Sequence, residues 1–218
     1  MKAVKLTNTN GITESRIKLV EGVTYVSNGT GDSKILGRFR TYEHPLLARF
    51  FMQLHRSNDT SLAWEIETKG KTNSVTQEQT WCSSLIPIKR IELPLITTEQ
   101  RVGIAINCAL EVFKDEQWRT WAYRWLSGAD RSYTTAKEWS DVLSGKVDNT
   151  NRRSAEFATD AAASAAKAKE VTNFTELGIY TSDVKIETAC SAVCAMANEE
   201  NLDVDLLNII KKTQQDMI

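Results

Sequence analysis

The hydrophobic period of this chain changes at Pro94, and no single kind of core satisfies both sides of that change. Before Pro94, apolar residues alternate or cluster in short β-forming runs broken by glycine; after it, they recur three and four positions apart. A period near two calls for strands and a period near 3.6 for helices. The expected fold class is therefore α+β: a small β-rich N-terminal module with one helix over residues 1–95, followed by an all-α helical bundle over residues 96–218.

In the first module, Ala3-Val-Lys-Leu6, Arg16-Ile-Lys-Leu-Val20 and Val23-Thr-Tyr-Val26 read as strands punctuated by Gly11, Gly22, Gly29, Gly31 and Gly37. Pro45 suits a first helical turn, and Leu46, Leu47, Phe50, Phe51 and Leu54 follow it at helical intervals. Leu62, Trp64 and Ile66 share one face of a half-buried strand. Leu85–Leu93 reads as the last strand, and Pro87, which has no N–H to donate, places it at an edge or marks a bulge.

Beyond Pro94, Thr97 and Gln100 fit a capping box, with Val102, Ile104, Ala105, Cys108, Ala109, Val112 and Phe113 as the apolar side of the helix they open. Trp118, Trp121 and Trp125 then fall on one helical face, which Ser127-Gly128 stops. The pattern predicts helices near 116–127, 130–144, 151–170, 183–199 and 203–214, with Asp130, Ser182 and Asp203 as caps. The alanine-rich run 154–168 gains little from loose burial, so it is expected to be squeezed between other helices.

The 27 basic and 28 acidic residues leave a net charge of −1, too little to attract nucleic acid or an anionic membrane through an overall field. No apolar run approaches the roughly 20 residues of a membrane span, and the N-terminus lacks a signal peptide's apolar core, so the cytoplasm is the expected compartment. Cys82, Cys108, Cys190 and Cys194 are then expected to be reduced, buried small residues. His44 and His55 have no partner at ligand spacing, so no metal is expected. No nucleophile with its base and no phosphate loop stands out; hence no catalytic residue and no cofactor is assigned.

Several segments carry a resemblance. Glu21-Gly-Val-Thr-Tyr-Val26, Glu43-His-Pro-Leu-Leu47 and Ile88-Lys-Arg-Ile-Glu-Leu-Pro94, then Thr98-Glu-Gln-Arg-Val102, Asn107-Cys-Ala-Leu110 and Trp125-Leu-Ser-Gly-Ala-Asp-Arg-Ser132 before an alanine run, make the chain resemble a group of uncharacterised proteins of tailed bacteriophages. The helical tail is also loosely similar to alanine-rich immunity proteins. The resemblance implies a phage accessory protein, non-enzymatic, that binds and inhibits a host component of antiviral defence in the host cytoplasm.

Two groups of side chains are candidates for sites. Arg38, Arg40, Tyr42 and His44 form the densest polar cluster of the first module; guanidinium forks fit phosphate oxygens, and Tyr42 could stack on a base. That reading makes the chain a sponge for a nucleotide signal, with a homo-oligomer interface as one setting, against the plainer reading of a strand whose arginines face water. Arg131, Arg152 and Arg153 are candidates for a partner surface, since Arg152 and Arg153 lie at a helix start, where the dipole disfavours cations. A third reading is an ADP-ribosyltransferase-like enzyme, which the module distantly resembles in its early arginine, its Tyr42-Glu-His44 segment and its later Trp64-Glu-Ile-Glu67 strand.

Overall fold

The computed structural model describes residues 1–13, 15–27, 39–52, 62–74, 79–144, 150–170 and 204–217. They fall into two compact units, Met1–Leu95 and Ile96–Ile218.

The first unit holds β1 (Lys2–Thr7), β2 (Tyr25–Val26), β3 (Phe39–Tyr42), α1 (Pro45–Phe51), β4 (Leu62–Ser74) and β5 (Gln79–Ile91). Every pairing is antiparallel. Because β4 pairs with both β1 and β5, the order β5-β3-β1-β4 returns to β5 and the sheet closes on itself. Each of these four strands is paired on both sides over part of its length, and β2 adds to β5 beside β3. Ala3, Leu19, Phe39, Trp64, Ile66, Cys82 and Leu85 make one core cluster. On β1 the burial is unbroken from Ala3 to Thr7, because alternate residues face two different apolar layers. Helix α1 packs on β1 and β3 and supplies the second layer, with Phe51 stacked on Tyr42 at a centroid distance of 6.1 Å.

One strand expectation changes, and the two alternatives at Pro87 are decided. Residues 16–20 form no strand; Lys18 makes an isolated bridge to Ile12, within a turn where Arg16 adopts φ 60. Pro87 lies on a strand paired on both edges, and the ladder shifts register between Glu65 and Ile66, opposite Lys89 and Pro87. The missing N–H is thus accommodated by a bulge, not an edge.

The second unit holds α2 (Thr98–Val112), α3 (Glu116–Leu126), α4 (Tyr133–Ser144), α5 (Thr150–Glu170) and α6 (Leu206–Asp216). The expected all-α bundle is not what the described residues show: the chain is a mixed α+β protein with a five-stranded antiparallel sheet and six described helices. Helix α2 is the reason. It is buried without interruption from Arg101 to Ile106, so it has no single apolar stripe to turn toward a common axis. It lies instead among α3, α5 and α6, while α4 packs on α5. Helix α5 packs on both α2 and α4, and its buried Ala155, Ala158, Ala161, Ala162 and Ala165 have side chains small enough to permit close approach. The helix expected at 183–199, with Ser182, Cys190 and Cys194, and the cap Asp203 lie outside the described residues.

The caps follow local chemistry. Thr97 and Gln100 form the reciprocal capping box of α2, and Asp115 Oδ1 accepts from Trp118 N at 2.8 Å to open α3. Helix α4 starts three residues later than expected. Ser132 caps it and Asp130 braces the cap, accepting from Ser132 N at 3.1 Å, Ser132 Oγ at 2.8 Å and Thr135 Oγ1 at 3.2 Å. Asp205 Oδ1 accepts from Asn208 N at 2.9 Å to open α6.

Candidate functional site

The expected cluster Arg38, Arg40, Tyr42 and His44 is divided by the fold. Arg38 lies outside the described residues. Tyr42 is 1 % exposed beneath Phe51, so its ring cannot receive a base. His44 caps α1: its Nδ1 accepts from Leu46 N at 3.1 Å, which gives the imidazole a structural role and fixes which nitrogen bears the lone pair. Arg40 remains. It pairs in register with Trp81 of β5, and its guanidinium carbon stands 5.1 Å from the Trp81 ring centroid. Both side chains are half-buried, and Arg40 Nε is shielded without a hydrogen-bond partner. Trp81 was not a sequence candidate, because its neighbour across the sheet becomes visible only once β3 and β5 are in register.

The arginines expected to serve a partner are placed differently. Arg131 donates from Nε to the carbonyl of Trp125 at 3.0 Å and from Nη2 to that of Leu126 at 3.3 Å, closing the C-terminus of α3. Arg152 donates from Nη2 to the carbonyls of Val142, at 2.9 Å, and Leu143, near the end of α4. Lys114 and Arg119 do the same at the end of α2, both donating to Leu110. The cations that look misplaced along the sequence thus complement the negative ends of preceding helices. Arg153 is exposed on the first turns of α5.

The tryptophans of α3 are core. Trp118 is fully buried and donates from Nε1 to Thr159 Oγ1 at 3.2 Å; Trp121 and Trp125 are 5 % and 3 % exposed. The opposite face of α3 carries Tyr123, 52 % exposed. Arg119, one turn earlier, donates from Nη2 to Tyr123 Oη at 3.0 Å and holds its guanidinium carbon 5.8 Å from the ring centroid. This i, i+4 pair was legible in the sequence but masked there by the neighbouring tryptophans.

Cys82 and Glu65 in the first unit are perturbed by their surroundings. Lys5 and Cys82 are both buried, and burial pushes the Cys82 thiol up to about 11, with the nearby Lys5 charge and backbone hydrogen bonds pulling the other way. Glu65, on the strand considered for ribosyl transfer, lies 2.8 Å from Lys2 Nζ and 3.6 Å from Lys89 Nζ. Hydrogen bonding from Lys2 chiefly lowers its carboxyl below the ordinary range, so it is a paired surface carboxylate. Among the described residues no group of three or more His, Cys, Asp or Glu side chains is placed to hold a metal ion, and no helix is long and apolar enough to cross a membrane.

No protein-family model, no curated protein and no solved structure matches this chain.

Proposed function

We propose that the chain acts by recognition: a non-enzymatic phage accessory protein that binds and inhibits a host protein of antiviral defence in the cytoplasm of the infected cell. The phage and host parts of this reading rest on the sequence resemblance. Tyr123 is the observation that supports binding. Tyrosine and arginine are over-represented among residues that dominate protein interfaces, and here an exposed Tyr123 is fixed by Arg119, itself held by the Leu110 carbonyl. The helix beneath is anchored through Trp118, Trp121 and Trp125. A ring positioned before its partner arrives loses less conformational entropy on binding.

The test is recovery of the tagged protein from infected cells, with bound host proteins identified by mass spectrometry, for wild type and Tyr123→Ala. A host protein retained by wild type and reduced at least about tenfold by the variant, at unchanged melting temperature, is expected from a central anchor. No host protein above background, or an identical set with both chains, would overturn the reading.

A further inference from the structure

We propose that the outer face of β3 and β5 carries a binding site for a nucleotide-class ligand, with Arg40 as the phosphate-binding group and Trp81 as the ring surface. This site lies in the first unit and does not depend on Tyr123 or on a host partner.

Register is the starting point. Arg40 and Trp81 are direct partners in the β3–β5 ladder, so their side chains leave the sheet on the same face. The face is the one opposite Phe39 and Cys82, which belong to the core cluster. A guanidinium over an indole is held by the ring's negative face, and its N–H groups point along the guanidinium plane. The contact with Trp81 therefore satisfies the charge in part and leaves the donors unused.

Those donors distinguish Arg40 from the arginines of the second unit. Arg119, Arg131 and Arg152 donate to backbone carbonyls, and Arg124 lies 3.9 Å from Asp130. Among the described residues the Arg40 guanidinium has Trp81 as its one partner, and Nε is shielded from solvent with no acceptor. Nε is closed to an incoming ligand, so an anionic oxygen would meet the outer Nη donors of the half-buried guanidinium and give the charge the acceptor it lacks. The guanidinium fork fits phosphate, and the half-exposed indole next to it offers a π-face for a planar ring carried by the same ligand. A nucleotide combines the two. Tyr42, two residues along β3, cannot supply the ring surface because Phe51 covers it.

The experiment is a titration of the full chain, labelled with ¹⁵N, following the Trp81 indole N–H and the Arg40 Nε–H by NMR. Adenosine monophosphate, adenosine and inorganic phosphate are the three probes. The expected result is saturable movement of both signals with adenosine monophosphate, movement of Arg40 alone and more weakly with inorganic phosphate, and movement of Trp81 alone with adenosine. Arg40→Gln and Trp81→Leu should each weaken adenosine monophosphate binding about tenfold, with Arg40→Lys intermediate because it keeps the charge and loses the fork. The amide spectrum of each variant reports whether the sheet is intact, and Arg40→Gln keeps the indole in place should Trp81→Leu perturb the strand. The proposal is overturned by unmoved signals at millimolar nucleotide, by inorganic phosphate binding as tightly as the nucleotide, or by wild-type affinity in folded Arg40→Gln.

Discussion

Arg131 binds Trp125 twice: its Nε donates to the Trp125 carbonyl at 3.0 Å, and its guanidinium carbon lies 4.8 Å from the centroid of the Trp125 ring. One side chain therefore closes the end of α3 and covers the indole that anchors it. Gly128 makes this geometry available, since its φ of 79 turns the chain back toward the helix it has just left. Removing the side chain in Arg131→Ala forfeits two charge-assisted hydrogen bonds and the ring contact. Because the group is half-buried, the expected loss is about 1–2 kcal/mol, a fall of roughly 2–8 °C in melting temperature. Arg131→Lys should recover less than half of it, having one point charge where the fork makes two bonds. A melting curve unchanged in Arg131→Ala would show that the contact contributes nothing.

Gly103 illustrates a contest between propensity and packing. In the middle of α2, alanine is intrinsically better than glycine by about 1 kcal/mol. A Cβ at this position, however, would stand 2.6 Å from Met217 Sδ and 3.0 Å from Thr213 Cγ2, where α6 crosses. Thr213 is buried and its hydroxyl donates to Ile209 O at 2.8 Å and accepts from Asn107 Nδ2 at 3.0 Å, so it cannot yield. Overpacking of this kind costs about 1–3 kcal/mol, and the net expectation for Gly103→Ala is destabilisation. Met217 is the flexible neighbour, so Met217→Ala combined with Gly103→Ala should be more stable than the sum of the two single changes. Denaturant titration of the four chains gives the coupling directly, and strict additivity would argue against the crowding.

The same contest explains what the sequence could and could not disclose. Helices α2 and α3 were legible because a capping box, a one-faced run of tryptophans and a glycine stop are local signals. Strands β1 and β4 were legible from alternation. Closure of the sheet was not, because the pairing of β4 with both β1 and β5 joins residues far apart in sequence and leaves no periodic trace. The central position of α2 escaped for a related reason: an unbroken buried run reads as a strong helix but does not say how many neighbours surround it. Among the candidate residues, Tyr42 lies beneath Phe51 and His44 caps the α1 N-terminus, neighbours that the sequence around them does not display. The partners of Arg131 and Arg152 are carbonyls of an earlier helix, which are not visible beside them in the sequence.

Cys82 should be chemically silent while the sheet is closed. Burial raises its thiol to about 11, and alkylation requires both the thiolate and access. A raised folded-state value means that the protonated thiol contributes stability below the ordinary thiol range near 8.5, and that this contribution is lost as the pH climbs toward 11. At pH 8, iodoacetamide is expected to modify Cys82 only at the rate at which the unit opens, and rapidly once denaturant is added. Mass mapping of the modified cysteine over time provides the readout; fast native labelling of Cys82 would contradict its place in the core.

Asp130 gives the helical unit an acid-side dependence of opposite sign. The backbone N–H of Ser132 first, then the hydroxyls of Ser132 and Thr135 and the charge of Arg124, hold its carboxyl below the ordinary aspartate range. The unfolded chain therefore binds this proton more tightly than the folded one. The stabilisation is fully present above the ordinary value near pH 4 and fades as the pH falls through the folded value. Asp130→Asn keeps the oxygen that accepts from Ser132 and Thr135 but cannot titrate, and it gives up the ion pair with Arg124. Wild type should accordingly be the more stable chain at pH 7, and the two melting temperatures should converge as the pH approaches 3. A gap that stays constant between pH 7 and pH 3 would mean that the Asp130 carboxylate charge takes no part in holding the start of α4.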